Sequence, residues 1–435
     1  MRKNIYIPVL WKFWISQAVA ISWTALSLWF SIPWVYDLEQ IVGHFWAFFI
    51  VGGLAYVPGY LNAFLVISLL FDRQPDFKIN NSQEAVSVLI AARNEATNIQ
   101  DTLHYISRQD YAGTIHVILV NNGSTDDTVQ ITSETARHLN MQLTILDEER
   151  PGKHIALNTG LDRVQTDLVI TLDADTLLHP AAVRYVVSRL RSAPDDVCAV
   201  AGSILVRNSR QTFWTRLQEW DYFLGIASIK RLQGLYQGTL VAQGAFSLYK
   251  TEAIVKAGGW PDAIGEDIVL TWKFFEQHYR VYFEPLAVAF TNAPVKFTHF
   301  VRQRNRWARG MIEALKQVRP WKQPRLFSKF LTGIDLLIPY IDFSYTCFWI
   351  PGLILAFFGY FWIIGLTTLL VLPLTLISYY ILYVYQRRVF KALHLAVRKN
   401  IVGFIAYVLI YQMIMAPISV YGYIQELLHF KRVWK

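Results

Sequence analysis

Leu168–Val169–Ile170–Thr171–Leu172–Asp173–Ala174–Asp175 is the stretch on which the fold turns. Its first five residues carry no charge and are rich in β-branched side chains, which suits a strand covered on both faces. Two acids follow at once. Three runs of the same kind precede it, Val86–Ala91, Ile115–Val120 and Leu143–Leu146, with helix-length stretches between them. That alternation predicts parallel strands joined by crossover helices, so the expected fold is an α/β domain with a mostly parallel sheet. Ligands of such sheets bind at the carboxyl ends of the strands, which directs attention to the polar residues after each run.

Outside this block the chain is unlike a soluble domain. Of its 435 residues 54% are hydrophobic, 15% aromatic and 17% charged, whereas soluble domains carry about 25% charged residues. Phe13–Tyr36, Phe45–Phe71, Phe343–Gln386 and Asn400–Gln425 are uncharged runs, each at or above the roughly 20 residues that cross a bilayer. Phe343–Gln386 is long enough for two passes with a turn near Gly359 or Gly365, and Pro417 interrupts the last run. The first run is longer than the apolar part of a signal peptide and lacks a small-x-small site, so it reads as a retained helix. The expected organisation is a helix pair in 1–71, an α/β domain in 72–330 and a membrane region of about three helices in 331–435.

Arg2, Lys3 and Lys12 precede the first span, the loop Asp37–His44 lacks Lys and Arg, and Arg73 follows the second. This distribution predicts an in–out–in hairpin in the cell membrane with the middle region cytosolic. Arg387, Arg388, Lys391, Arg398 and Lys399 fit the same side. A fifth full span would place Lys431, Arg432 and Lys435 outside; re-entry around Pro417 is the alternative. The net charge of +9 suits anionic lipid headgroups or an anionic substrate, and the hydrophobicity disfavours nucleic acid. Cys198 and Cys347 have neither metal-site nor redox spacing.

The strand-end residues carry the chemistry. Ala92–Arg93–Asn94–Glu95 follows the first strand and Asn121–Asn122–Gly123–Ser124–Thr125–Asp126–Asp127–Thr128 the second. The latter is either a turn and helix start or a dock for a nucleotide base. Gly152–Lys153 precedes a helix and offers a cation for a phosphate or a surface lysine. Asp173 and Asp175, two apart, project from one side in extended geometry, and a hard divalent cation, Mg²⁺ or Mn²⁺, would relieve their repulsion. A turn with a helix cap is the plain alternative. Glu266–Asp267 opens an amphipathic stretch, where an acid either caps the helix or serves as a general base. Gln303, Arg306 and Trp307 fall at i, i+3 and i+4 and share a helix face. An indole suits a sugar ring and a guanidinium a phosphate. Arg302 and Arg304 are expected at the surface, near headgroups.

In this order the blocks resemble the family-2 glycosyltransferases: Ala-Arg-Asn-Glu, Asn-Gly-Ser-Thr-Asp-Asp-Thr, Gly-Lys-x-x-Ala-Leu-Asn, Asp-Ala-Asp, Glu-Asp and Gln-x-x-Arg-Trp. The resemblance runs from about Val86 to Ala314. The flanking helices are similar to those of cellulose, hyaluronan and chitin-oligosaccharide synthases, and Arg306–Trp307–Ala308–x–Gly310–x–x–Glu313 to bacterial poly-β-1,6-N-acetylglucosamine synthases. The resemblance implies a GT-A-like domain that binds a UDP-sugar through Ala92, Asn94, Glu95, Asn122, Lys153, Asp173, Asp175, Gln303 and Arg306. It implies Asp175 with Asp173 for the metal, Asp267 as the base, and Trp307 with Glu266 for the acceptor. Asn122 departs from the family's Asp, which contacts the uracil ring; an amide carbonyl accepts the same hydrogen bond without charge assistance.

The function implied is inverting transfer from UDP-N-acetylglucosamine into a β-linked extracellular polysaccharide, with the helices guiding it outward. A growing polysaccharide or a lipid is the acceptor, and a small accessory membrane subunit is a further expected partner. Non-processive transfer to a lipid is the second enzymatic reading, and a catalytically silent nucleotide-binding sensor is a third of another class.

Overall fold

The structure, a computed structural model, describes residues 7–364 and 371–430. Arg2, Lys3, Gly365, Lys431, Arg432 and Lys435, invoked above for topology, lie outside the described residues. The four sequence-predicted strands form as β1 Val86–Ala92, β2 Ile115–Asn121, β3 Gln142–Asp147 and β4 Leu168–Leu172. They pair in parallel, β1 between β2 and β4, with β3 beyond β2. Four further strands, β5 Leu177–Leu178, β6 Val197–Val206, β7 Phe246–Lys250 and β8 Arg280–Thr291, complete an eight-stranded sheet in the order β3-β2-β1-β4-β7-β6-β8-β5. β7 runs antiparallel to β4 and β6, so the sheet is mixed but mostly parallel.

Both faces of the sheet are covered, which is why these strands are nearly continuous apolar runs. Leu89 and Ile118 point to one core with Ala156 and Leu157. Val88, Ile90, Val117 and Leu119 point to the other, with Leu103 and Ile106. The helix Lys153–Leu161 sits so close to β1 that a Cβ on Gly160 would come within 2.2 Å of Leu89 Cδ1. That approach fixes where Lys153, at the head of the helix, emerges.

Among the described residues three helices are long and apolar enough to cross a membrane: Val9–Val42, His44–Leu70 and Leu326–Phe357. These helices mark the chain as a multi-pass membrane protein. Gly43, at φ +81°, makes the turn of the first hairpin in the left-handed region. The third helix begins at Leu326 and not at Phe343, taking in Lys329, Asp335 and Asp342. Asp342 is buried and accepts hydrogen bonds from Tyr423 (2.7 Å) and Gln412 (3.2 Å), which offsets the cost of a carboxyl among apolar helices. A turn with positive φ falls at Gly359, one of the two expected positions.

The last run breaks, but not at Pro417, where the alternative of re-entry put the break. Ile401–Leu409 and Tyr411–Leu427 meet at 53°, so the bend falls at Ile410, and Pro417 lies inside the second helix. The start of the run is anchored. The Asn400 side chain accepts from Gly403 N–H (3.1 Å) and donates to the Arg216 carbonyl (2.8 Å) and Glu219 (2.6 Å), while Trp220 Nε1 donates to the Asn400 carbonyl (2.8 Å). The first half is thereby held against the helix Phe213–Trp220 of the α/β domain.

Candidate active site

Lys153 is the hub. Its Nζ lies 2.6 Å from Asp173 Oδ1, just past the end of β4, and 3.7 Å from Glu266 Oε1, at the start of the helix Glu266–Glu276. Burial disfavours the ammonium, but Asp173, Glu266 and Asp267 outweigh it and raise the Lys153 pKa, so the lysine stays charged. Burial raises the Glu266 carboxyl well above the usual range, with Lys153 opposing and Asp267 adding to the rise. Asp175 has no such cation. Burial, then the charges of Asp173 and Glu95, push its carboxyl up to about 6. Among the described residues it accepts from the Thr291 (3.2 Å) and Thr176 (3.3 Å) hydroxyls.

That imbalance tests the expected metal. Asp173 and Asp175 offer hard oxygen donors; Lys153 already pairs with Asp173, while Asp175, raised first by burial, has no cation paired with it among the described residues. Such a donor set fits Mg²⁺ or Mn²⁺. Among the described residues no three His, Cys, Asp or Glu side chains converge into a cage.

Asp267 is partly exposed, unlike the buried Glu266 beside it. Its Oδ1 accepts from Ile268 N–H (2.8 Å) and its Oδ2 from Gly244 N–H (3.3 Å). The helix Phe297–Gln317 is brought to this turn by a glycine pair. A Cβ on Gly310 would meet Gly265 Cα at 3.0 Å, a separation that only two glycines permit. Arg306, exposed on that helix, falls within the electrostatic reach of Glu266. Trp307, next along, is 39% exposed and lies 6.3 Å, centroid to centroid, from the buried Tyr222 ring. Gln303, one turn earlier, lines a separate cavity of about 390 Å³ with Asn208, Asn292 and His299.

The loops after β1 and β2 are tied together. Asn94, at φ +57°, accepts from Thr125 N–H (2.8 Å) and donates its own N–H to the Ser124 hydroxyl (3.1 Å). Glu95 N–H donates to Thr128 (2.8 Å), and burial, opposed by its Asn98 hydrogen bond, raises the Glu95 carboxyl. Ala92 is buried, its carbonyl taken by Asn122 N–H (2.8 Å). The Asn122 amide donates to the carbonyls of Glu148 (3.0 Å) and Arg150 (2.7 Å) and accepts from Gly152 N–H (2.9 Å). In this structure its polar atoms shape the loop that leads into Lys153.

Arg304 requires a correction. It is not at the surface but 2% exposed, with its guanidinium 2.8 Å from Asp221 and 4.1 Å from the Trp307 ring centroid. Arg309, also buried, pairs with Glu426 at 3.1 Å. The sequence reading also missed the segment before β7. Lys230, buried, donates to the Val241 carbonyl; Ala242 N–H donates to Thr271 (2.9 Å) and Gly244 N–H to Asp267. Burial pulls the Lys230 ammonium down to about 7, with Asp267 opposing. Gln243–Gly244–Ala245 ahead of a strand was the available signal, since a Cβ on Gly244 would meet Lys153 Nζ at 2.9 Å.

An α/β domain with acids, a buried lysine and an exposed Arg–Trp pair gathered at its strand ends, set among apolar helices, has the outline of a membrane-bound transferase. Residues 83–310 match the model of glycosyltransferase like family 2, and the chain belongs to that family. It is 33% identical over 245 residues to the poly-beta-1,6-N-acetyl-D-glucosamine synthase of Staphylococcus aureus (strain COL), covering 56% of this chain and 58% of that protein. The corresponding synthase of Staphylococcus epidermidis is 31% identical over 262 residues, 60% of this chain and 63% of that one. The matches therefore span about three-fifths of those relatives. A mannosyltransferase of Pyrobaculum calidifontis, solved with GDP-Man and Mn2+, superposes with a TM-score of 0.56 at 18% identity, covering 96% of this chain and 100% of that one. That likeness is one of fold.

Proposed function

We propose that this chain transfers a sugar from a UDP-sugar, with inversion, onto a growing β-linked polysaccharide, and that the sugar is N-acetylglucosamine. The observation that carries the reading is Lys153 bridging Asp173 and Glu266, with Asp267 next in the chain. This bridge joins the acids at the strand end to the acids at the helix start. The Gly265–Gly310 contact brings the helix that carries Arg306 and Trp307 against the turn of Glu266 and Asp267. The choice of sugar rests on the named activity of the staphylococcal relatives.

Asp267 takes the proton of the acceptor hydroxyl as its oxygen attacks the anomeric carbon and the bond to the diphosphate oxygen breaks. Lys153 and Arg306 balance charge on the departing UDP, a stabilisation that a fixed, partly dry site makes large. Asp175 with Asp173 would hold a divalent cation, which would supply further positive charge to the diphosphate; the structurally similar mannosyltransferase was solved with Mn2+. Trp307 offers its exposed ring to the terminal sugar, and each addition renews the same hydroxyl before Asp267. The α/β domain lies on the cytosolic side, between the first helix pair and the C-terminal helices.

Membranes supplied with a panel of labelled UDP-sugars, with the products sized, test the reading. Polymer formed from UDP-N-acetylglucosamine is expected. Consumption of UDP-glucose alone, or a singly glycosylated lipid as the end product, would overturn the sugar or the polymer while leaving transfer in place.

A further inference from the structure

Arg304 occupies one of the two unspecified places in the Gln-x-x-Arg-Trp block, yet it is among the most buried large side chains of the protein. A guanidinium does not leave water without strong compensation. Part of that compensation is Asp221, itself 5% exposed, whose carboxylate lies 2.8 Å from Arg304 Nη2. The rest is aromatic. The guanidinium carbon sits 4.1 Å from the Trp307 ring centroid, 5.2 Å from Phe300 and 5.6 Å from Tyr222. Arg304 Nε and Nη2 and Asp221 Oδ2 have no hydrogen-bond partner of good geometry among the described residues, so the pair is held by charge and by the stacked rings more than by hydrogen bonding.

The arrangement around this pair is specific. Asp221 begins a π-helical turn, Asp221–Ile226, between the helices Phe213–Trp220 and Ala227–Leu235. Wide turns of this type hold side chains at angles that a regular helix does not reach, and they concentrate at functional sites. Tyr411, at the start of the last helix, lies within the electrostatic reach of Arg304 and Asp221. A chain of contacts thus runs from Asp221 through Arg304 to the exposed indole. Electrostatic stacking of a planar cation on an indole restrains the ring's tilt as well as its position.

We infer that Arg304, tethered by Asp221, is a positioning residue that holds the Trp307 indole at the angle needed to receive the terminal sugar of the acceptor. The inference rests on the proposed acceptor role of Trp307. It requires that loss of the pair harm transfer to sugar while sparing transfer to water, because donor hydrolysis needs the diphosphate contacts but no oriented indole.

The test compares the full-length, detergent-purified wild type with Arg304→Lys, Arg304→Met and the double variant Arg304→Met/Asp221→Asn. Arg304→Met leaves a buried carboxylate unpaired and risks misfolding; the double variant removes both charges and keeps the test alive. The readouts are UDP released with no acceptor, KM and kcat for an N-acetylglucosamine oligosaccharide acceptor, and product length. The acceptor kcat/KM should fall about tenfold in the Met variants, a value within the range of a partly desolvated cation–π contact, with shortened product and hydrolysis within about twofold of wild type. Arg304→Lys, which keeps the charge but not the plane, should fall between. Equal loss of hydrolysis and transfer would make the pair structural only, and unchanged acceptor kinetics would remove it from the site. A wild type that elongates no sugar acceptor would overturn the acceptor reading, and this inference with it.

Discussion

Gly310→Ala separates packing from chemistry at this site. The added methyl would stand 3.0 Å from Gly265 Cα and 3.1 Å from Gly265 N, against about 3.5–4.0 Å for an ordinary carbon contact. Both obstacles are backbone, so the helix Phe297–Gln317 must move away from the Asp267 turn by roughly 0.5 Å. Overpacking of this kind costs roughly 1–3 kcal/mol, while replacing a mid-helix glycine by alanine returns about 1 kcal/mol. The net destabilisation is therefore about 0–2 kcal/mol, and the protein should remain folded. Turnover is the sensitive quantity. A displacement of 1 Å costs about 100-fold in rate, so half of it predicts about a tenfold fall in kcat for UDP release. Gly333→Ala is the control, because a Cβ there meets nothing within 4 Å. Folded Gly310→Ala protein turning over at the wild-type rate would show that this contact does not set the distance between Asp267 and Arg306–Trp307.

Chelation with EDTA should abolish transfer, and Mg²⁺ or Mn²⁺ should restore it; full activity in metal-free buffer would remove the metal from the mechanism. The Asp175 carboxyl, pushed up to about 6, must be deprotonated to bind a cation. The Mn²⁺ concentration for half-maximal activity should therefore rise as pH falls through that value, by about tenfold per unit once a proton must be displaced, and a flat profile from pH 5 to 8 would contradict this. Trp307→Ala should shorten the polymer and leave donor binding within about twofold of wild type, since the role proposed for the exposed indole is to receive the acceptor and not the nucleotide. Protease added to sealed, right-side-out vesicles should leave residues 73–342 intact; cleavage there would reverse the orientation drawn from Lys and Arg placement.

The half of the sheet built from β1 to β4 was legible because strands buried on both faces must be apolar almost throughout. The other half was not. β6 contains Ala199, Ala201, Gly202 and Ser203, residues of weak strand preference that are buried by their neighbours. β8 is broken by Glu284 and Pro285, which sit where its pairing with β6 shifts register between Phe283 and Val288. Glu284 can be buried there only because Arg189 lies 2.6 Å away, a partner no local pattern discloses. The site divides the same way. Asp173, Asp175, Lys153 and Asp267 follow from strand ends and helix starts. Gly244 acts through its backbone and Arg304 through an aspartate on another helix, so neither announces itself in its own segment.

UDP released from UDP-N-acetylglucosamine by the purified protein, with Mn²⁺ present, and the same measurement on Asp267→Asn, meet the central claim most directly. The account predicts sustained release coupled to sugar transfer in the wild type, and a turnover lower by roughly 10²–10⁴-fold in the variant with donor binding unchanged. No release by the wild type with either Mg²⁺ or Mn²⁺, or equal release by both proteins, would contradict it.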